Sequence, residues 1–174
     1  MSLLSDPPFA LGQTLGVSST ADGTSWVGAV KEFADTNPTN GQIRSNRRKV
    51  CVAVRNTSGG ALLPKKLVTL DGIGSSDANN AVAGNEFVGV VDEFLPASGV
   101  AANDVFWVVI EGPTEVVADA AVTANAAIAS DAAATAGAAT AGRVVATTTN
   151  AIGRAVSAAA AAGDAILAVV KTKA

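Results

Sequence analysis

The sequence predicts an all-β protein: a compact β-barrel or sandwich body over residues 47–174, preceded by an extended N-terminal arm over residues 1–46. Three observations point there. Short valine-rich runs alternate between two faces, and clusters of Gly, Asn, Asp and Ser punctuate them. The first 46 residues, with Pro7, Pro8 and Pro38 among many Gly, Ser, Thr and Asn, sustain neither a helical nor a strand period.

Within the arm one short helix is expected over Ser25–Ala34, where Trp26, Val30 and Phe33 share a face at helical spacing and Asp35 and Asn37 end it. An arm of this composition cannot bury enough surface alone and should order against a neighbour. From Lys49 the pattern becomes strand-like: Val50, Val52 and Val54 alternate with Cys51 and Ala53, and Asn56 to Gly60 form a turn. Further strands are expected at Leu67–Leu70, Glu86–Asp92, Asp104–Glu111, Thr114–Ala118, Arg143–Thr147, Ile152–Ser157 and Ala165–Lys171. The alanine-rich stretches Ala118–Ala141 and Ala155–Ala162 invite a helical reading by propensity; in the second the alanines lead straight into Gly163-Asp164 and an apolar run, so a turn at a barrel rim fits better, with a single helical turn as the alternative. A weak internal echo links Val88-Gly89-Val90-Val91 plus Ala101–Val109 with Ile152-Gly153-Arg154-Ala155 plus Ala161–Val170, as two related hairpins would.

Half of the chain is apolar (49%), but Ala and Val dominate and only five Phe and two Trp are present. An Ala side chain buries little more than one methyl, worth on the order of 0.8 kcal/mol, so such a chain gains from oligomerising or docking. Of twelve basic residues, eight lie between Lys31 and Lys66, whereas Leu67–Gly142 carries ten carboxylates and no Lys or Arg. This segregation suggests two surfaces with different neighbours. Cys51 is the single cysteine, so no intrachain disulfide forms, and its place in an alternating apolar run makes it a small buried hydrophobe. No segment reads as a signal peptide or membrane span, and synthesis in a cytoplasm is expected.

Catalytic chemistry finds little support. With no histidine and one cysteine, His-based triads and zinc sites drop out. Asp92 and Glu93 are strand neighbours that point to opposite faces, so they do not converge on a substrate. Ser58-Gly59-Gly60 and Gly72-Ile73-Gly74 lack the Lys-Ser/Thr of a phosphate-binding loop. Asp77, Asp92, Glu93, Asp104 and Asp119 have no calcium-loop spacing. The expectation is no catalytic, cofactor or metal residues and no small-molecule substrate. Arg44–Lys49 has no interleaved aromatic platform and the net charge is −3, so an acidic protein surface suits that cluster better than nucleic acid.

Three stretches then fall into a familiar pattern: Phe87-Val88-Gly89-Val90-Val91; Asp104–Pro113 followed by Glu115–Ala118; and Ala151–Ala155 with Ala162-Gly163-Asp164 before the last strand. Over about Arg48–Lys173 the chain resembles the capsid cement or decoration proteins encoded beside major capsid proteins in tailed bacteriophages. Some members of that group have carried a recombinase label, but no Walker-type motif is present here. The resemblance implies a β-barrel-like body, often trimeric, on the outer surface of the expanded phage head, with the major capsid protein as partner. The long arm departs from the compact members. As capsid-binding residues the expectation names the apolar anchors Leu3, Leu4, Phe9, Leu11, Trp26 and Phe33 and the cations Arg44, Arg47, Arg48 and Lys49. A head-fibre base, tail or surface-layer component shares the composition and is the alternative.

Overall fold

The computed structural model describes residues 9–16, 26–70, 77–80, 88–131 and 141–172. Leu3 and Leu4 lie outside the described residues. The expected all-β body is observed. Ten strands form it: β1 (Val30–Thr36), β2 (Ile43–Asn56), β3 (Leu67–Leu70), β4 (Asp77–Asn80), β5 (Val88–Val91), β6 (Val105–Val117), β7 (Ala127–Ser130), β8 (Val144–Ala146), β9 (Gly153–Ala155) and β10 (Ala165–Lys171).

Hydrogen bonding closes these strands into two five-membered circuits that share β6. In the first, β2 pairs β4 in parallel, β4 pairs β3, β3 pairs β5, β5 pairs β6, and β6 returns to β2. In the second, β6 pairs β10, β10 pairs β9, β9 pairs β7 and β7 pairs β8. A parallel bridge from Val144 to Ala118, just past the end of β6, closes the ring. Each circuit thus has the same order and the same single parallel step.

The agreement extends to individual bonds. Leu62 and Val100 exchange backbone hydrogen bonds at 3.1 and 2.9 Å, as Val122 and Ala159 do at 3.0 and 2.8 Å. Asn56 N–H donates to Asp104 O and Asn103 N–H to Asn56 O; Ala118, Asp164 and Gly163 repeat that pair of bonds. The turn before β3 places Lys65 at φ 65°, and the turn before β7 places Asn125 at φ 65°. Positive φ is also shared by Asn103 and Gly163, residues suited to the left-handed region. The hairpin echo in the sequence is therefore one part of a complete tandem repeat.

The first circuit is filled by Val54, Leu62, Val68, Val91, Val100, Phe106 and Val108. Their counterparts Val116, Val122, Ile128, Ala155, Ala159, Ile166 and Ala168 fill the second. Alternate residues of β2, β5 and β6 enter the two cores, so these strands are buried on both faces. β6 is longer than expected, because Gly112-Pro113 interrupts nothing. β2 leaves the ladder at Glu111 and β10 takes over on the other edge, so no second partner asks Pro113 for an N–H.

The expected helix at Ser25–Ala34 is not formed. Val30–Thr36 is an antiparallel strand on β2, with Val30 opposite Val52 and Phe33 opposite Lys49. Val30, Glu32 and Ala34 point outward while Lys31, Phe33 and Asp35 point in, and the gain from packing Phe33 against the core outweighs the helical spacing. Residues 30–46 therefore belong to the body, not to an extended arm. Residues 9–16, expected to order on a neighbour, lie on their own chain. Leu15 and Val105 exchange backbone hydrogen bonds (2.9 and 3.0 Å), and Phe9 stacks on Trp107 with ring centroids 4.5 Å apart.

Candidate interaction surface

The hairpin β1–β2 projects from the edge of the first circuit, and a buried ionic cluster holds it there. Arg44 donates to Asp35 Oδ1 from Nη2 (2.7 Å) and Nε (3.0 Å), and to Glu93 Oε1 from Nη2 (2.9 Å). Lys49 Nζ donates to Glu93 Oε1. Ser45 Oγ donates to Asp35 Oδ2 at 2.7 Å, and the Glu115 backbone N–H to Glu93 Oε2 at 3.1 Å. Lys65 completes the group with Glu115 Oε2 at 2.7 Å. Three cations face three carboxylates drawn from β1, β2, the turns beside β3 and β5, and β6.

Such burial is tolerable because each charge is paired and hydrogen-bonded. Burial alone would lower the Arg44 pKa, but its bonds to Asp35 and Glu93 outweigh that and raise it, so the guanidinium stays charged. Beside the cluster, Asp92 accepts from the Gly12 N–H (2.5 Å) and the Phe94 N–H (3.1 Å). Its burial nevertheless pushes the carboxyl up to about 6. Burial likewise pushes the Cys51 thiol up, away from the reactive thiolate.

These contacts redistribute the expected partner-binding residues. Lys49 and Arg44 face inward, spent on Glu93 and Asp35. Phe9 is buried under Trp107, whose Nε1 donates to the Phe9 carbonyl at 3.1 Å. Phe33 meets the same indole edge-on at 5.3 Å, and Leu11 and Trp26 are half-buried against the main core. Arg47 and Arg48 remain exposed; Arg48 pairs across the hairpin with Glu32 at 2.6 Å. Ile43, 73% exposed, stands near them, and Val30, 61% exposed, lies at the far end of β1 opposite Val52. A shallow groove of about 300 Å³ runs between the two strands, bounded by Phe33, Ile43, Arg47 and Arg48.

Val30 and Ile43 were not anticipated as surface anchors. Their exposure depends on the strand register, which a helical reading of residues 25–34 conceals. Glu93 was missed as a partner of Arg44 and Lys49 because 49 and 44 positions separate it from them, and Asp35 because its pairing with Arg44 depends on the β1–β2 hairpin that a helical reading conceals.

Among the described residues, no group of three or more His, Cys, Asp or Glu is arranged to hold a metal ion. No helix among them is long and apolar enough to cross a membrane. No protein-family model and no curated protein matches the chain. Among solved structures, the N base of the head fibre gp8.5 of bacteriophage phi29 is similar at 15% sequence identity and a TM-score of 0.47, covering 71% of this chain and 94% of that chain.

Proposed function

We propose that the protein is a non-catalytic structural component of a phage virion that docks on the outer surface of the head and cements contacts between major capsid subunits. The observation that carries this reading is the β1–β2 hairpin: a pre-ordered element with Ile43 exposed beside Arg47 and Arg48, and Val30 exposed farther along β1. Its inner face is fixed by the Asp35–Arg44–Glu93–Lys49 cluster, so little conformational entropy is lost when it docks. Apolar anchors within a basic rim suit an acidic protein surface. The pattern over residues 48–173 that resembles phage cement proteins supplies the kind of partner. Several weak contacts made by linked copies, trimers in this reading, would raise effective concentration and oppose separation of the capsid subunits.

The test is co-sedimentation with expanded heads that lack the protein, followed by heating. Saturable binding and heads that survive to higher temperature are expected. Reversing both exposed charges, Arg47→Glu with Arg48→Glu, should weaken binding about tenfold at low salt, at the 0.5–1 kcal/mol typical of rim charges. Absence of binding at every salt concentration would remove the cement reading.

A further inference from the structure

The tandem repeat allows one face of the molecule to be compared with its own counterpart. In the first circuit, Val90 pairs with Val109 and Trp107 with Ala53; in the second, the same register pairs Arg154 with Val169 and Leu167 with Glu115. The outward row of the first circuit is sealed: Val90, Trp107 and Val109 are fully buried, with Phe9 on the indole and Gly12 bonded to Asp92. Among the described residues, none covers the outward row of the second circuit in this way. A groove of about 730 Å³ runs along it, over Ile152, Val156 and Val169, with Arg47, Arg154 and Lys171 at its margins.

Charge distinguishes the two faces as clearly as cover does. Arg154 stands where the first circuit has Val90, and Lys171 where it has Glu111. Among the described residues no carboxylate lines the groove. Arg154 Nη1 donates to the Asn125 carbonyl at 2.9 Å, which spends one of its donors and holds the guanidinium at the margin. Lys171 has only a loose, exposed pairing with Glu111 at 3.8 Å. Many of the chain's carboxylates, by contrast, are consumed inside the fold: Asp35, Asp92 and Glu93 are buried, Glu115 pairs with Lys65 and Asp119 with Arg143.

We infer that the groove over Ile152, Val156 and Val169 is a docking site for an extended acidic polypeptide segment of a partner protein, occupying the second circuit as Phe9–Gly16 lies on the first. Alternate side chains of an extended segment reach the apolar floor, and its carboxylates meet Arg47, Arg154 and Lys171. Nucleic acid fits less well: among the described residues no aromatic ring lines the groove on which a base could stack, and the chain's net charge is −3. The inference deepens the docking reading above by naming the partner's chemistry, and its test needs no phage heads, so failure here and failure to decorate heads are separate results.

The probe is a fluorescein-labelled peptide of about ten residues alternating Glu and Val, titrated into the full-length protein and followed by anisotropy. A Lys–Val peptide and a single-stranded oligonucleotide of equal length serve as comparisons. The Glu–Val peptide should bind saturably and more tightly than either. Arg154→Glu with Lys171→Glu, both exposed and outside the cores, should weaken it at least about tenfold, and Arg48→Glu should leave it unchanged. A urea midpoint equal to that of the wild type establishes that the double variant is folded. Equal binding by the groove variant, no binding by the wild type, or tighter binding of the oligonucleotide overturns the inference, the last by assigning the groove to phosphate.

Discussion

Asp92 shows how one residue can couple the first residues of the described chain to the body. Both carboxylate oxygens accept backbone N–H groups, one from Gly12 and one from Phe94, yet burial raises the carboxyl from its ordinary 3.8 to about 6. The folded state therefore holds this proton more tightly than the unfolded chain does. Between about pH 4 and pH 6 the native protein binds more protons, so stability falls as pH rises, by an amount on the order of 3 kcal/mol before neighbouring groups are counted. Urea denaturation across that range should show the decline in the wild type, and Asp92→Asn should lack this part of it. A variant whose profile follows the wild type throughout would place the titration elsewhere.

At the scale of the element, two glycines on equivalent strands do the same work. Gly89 in β5 and Gly153 in β9 sit where a Cβ would collide with a neighbour, Val108 Cγ1 in the first case and the Val169 carbonyl in the second. Backbone is the obstacle at Gly153, and at Gly89 it is a β-branched side chain that is fully buried in the core and stiff at χ1. Gly153→Ala and Gly89→Ala should each cost about 3 kcal/mol or more, read as a drop in the urea midpoint. The Val-Gly-Val and Ile-Gly-Arg echo made this equivalence partly legible in the sequence. Most other strands were legible too, because Val50–Val54, Leu67–Leu70 and Ala165–Lys171 are short apolar runs bounded by turn residues. The strands that were missed have non-local causes. β1 carries apolar residues at helical spacing and becomes a strand only because β2 offers an edge. β7 is an alanine-rich run, Ala127-Ile128-Ala129-Ser130, whose sheet partners β8 and β9 follow 14 to 28 residues later. The exposed cations could be read as binding residues, but which of Arg44, Arg47, Arg48 and Lys49 remain at the surface depends on Asp35 and Glu93, which only the folded topology brings near.

For the whole molecule, the shared strand β6 makes the two repeats one cooperative unit. Its first half, Val105–Glu111, closes the first circuit on β2, and its second half, Glu111–Val117, pairs β10 in the second. The core of the second circuit also runs on, without a break, into the outward face of the first, so neither half can unfold without exposing the other. Urea unfolding should accordingly show one transition. Both tryptophans, Trp26 and Trp107, belong to the first half, so fluorescence reports on that half, and amide exchange in β7, β9 and β10 reports on the other. The two readouts should share a midpoint; separated midpoints would mean that the repeats are independent domains.

With an exposed hairpin on one circuit and a basic groove on the other, the body offers two surfaces for the proposed bridging of capsid subunits. Reconstruction by electron microscopy of expanded heads incubated with the protein tests that role most directly. The account predicts ordered added density on the outer surface at junctions between capsomers, with the β1–β2 hairpin against the capsid. Heads without added density at saturating protein, or density confined to the tail, would contradict it.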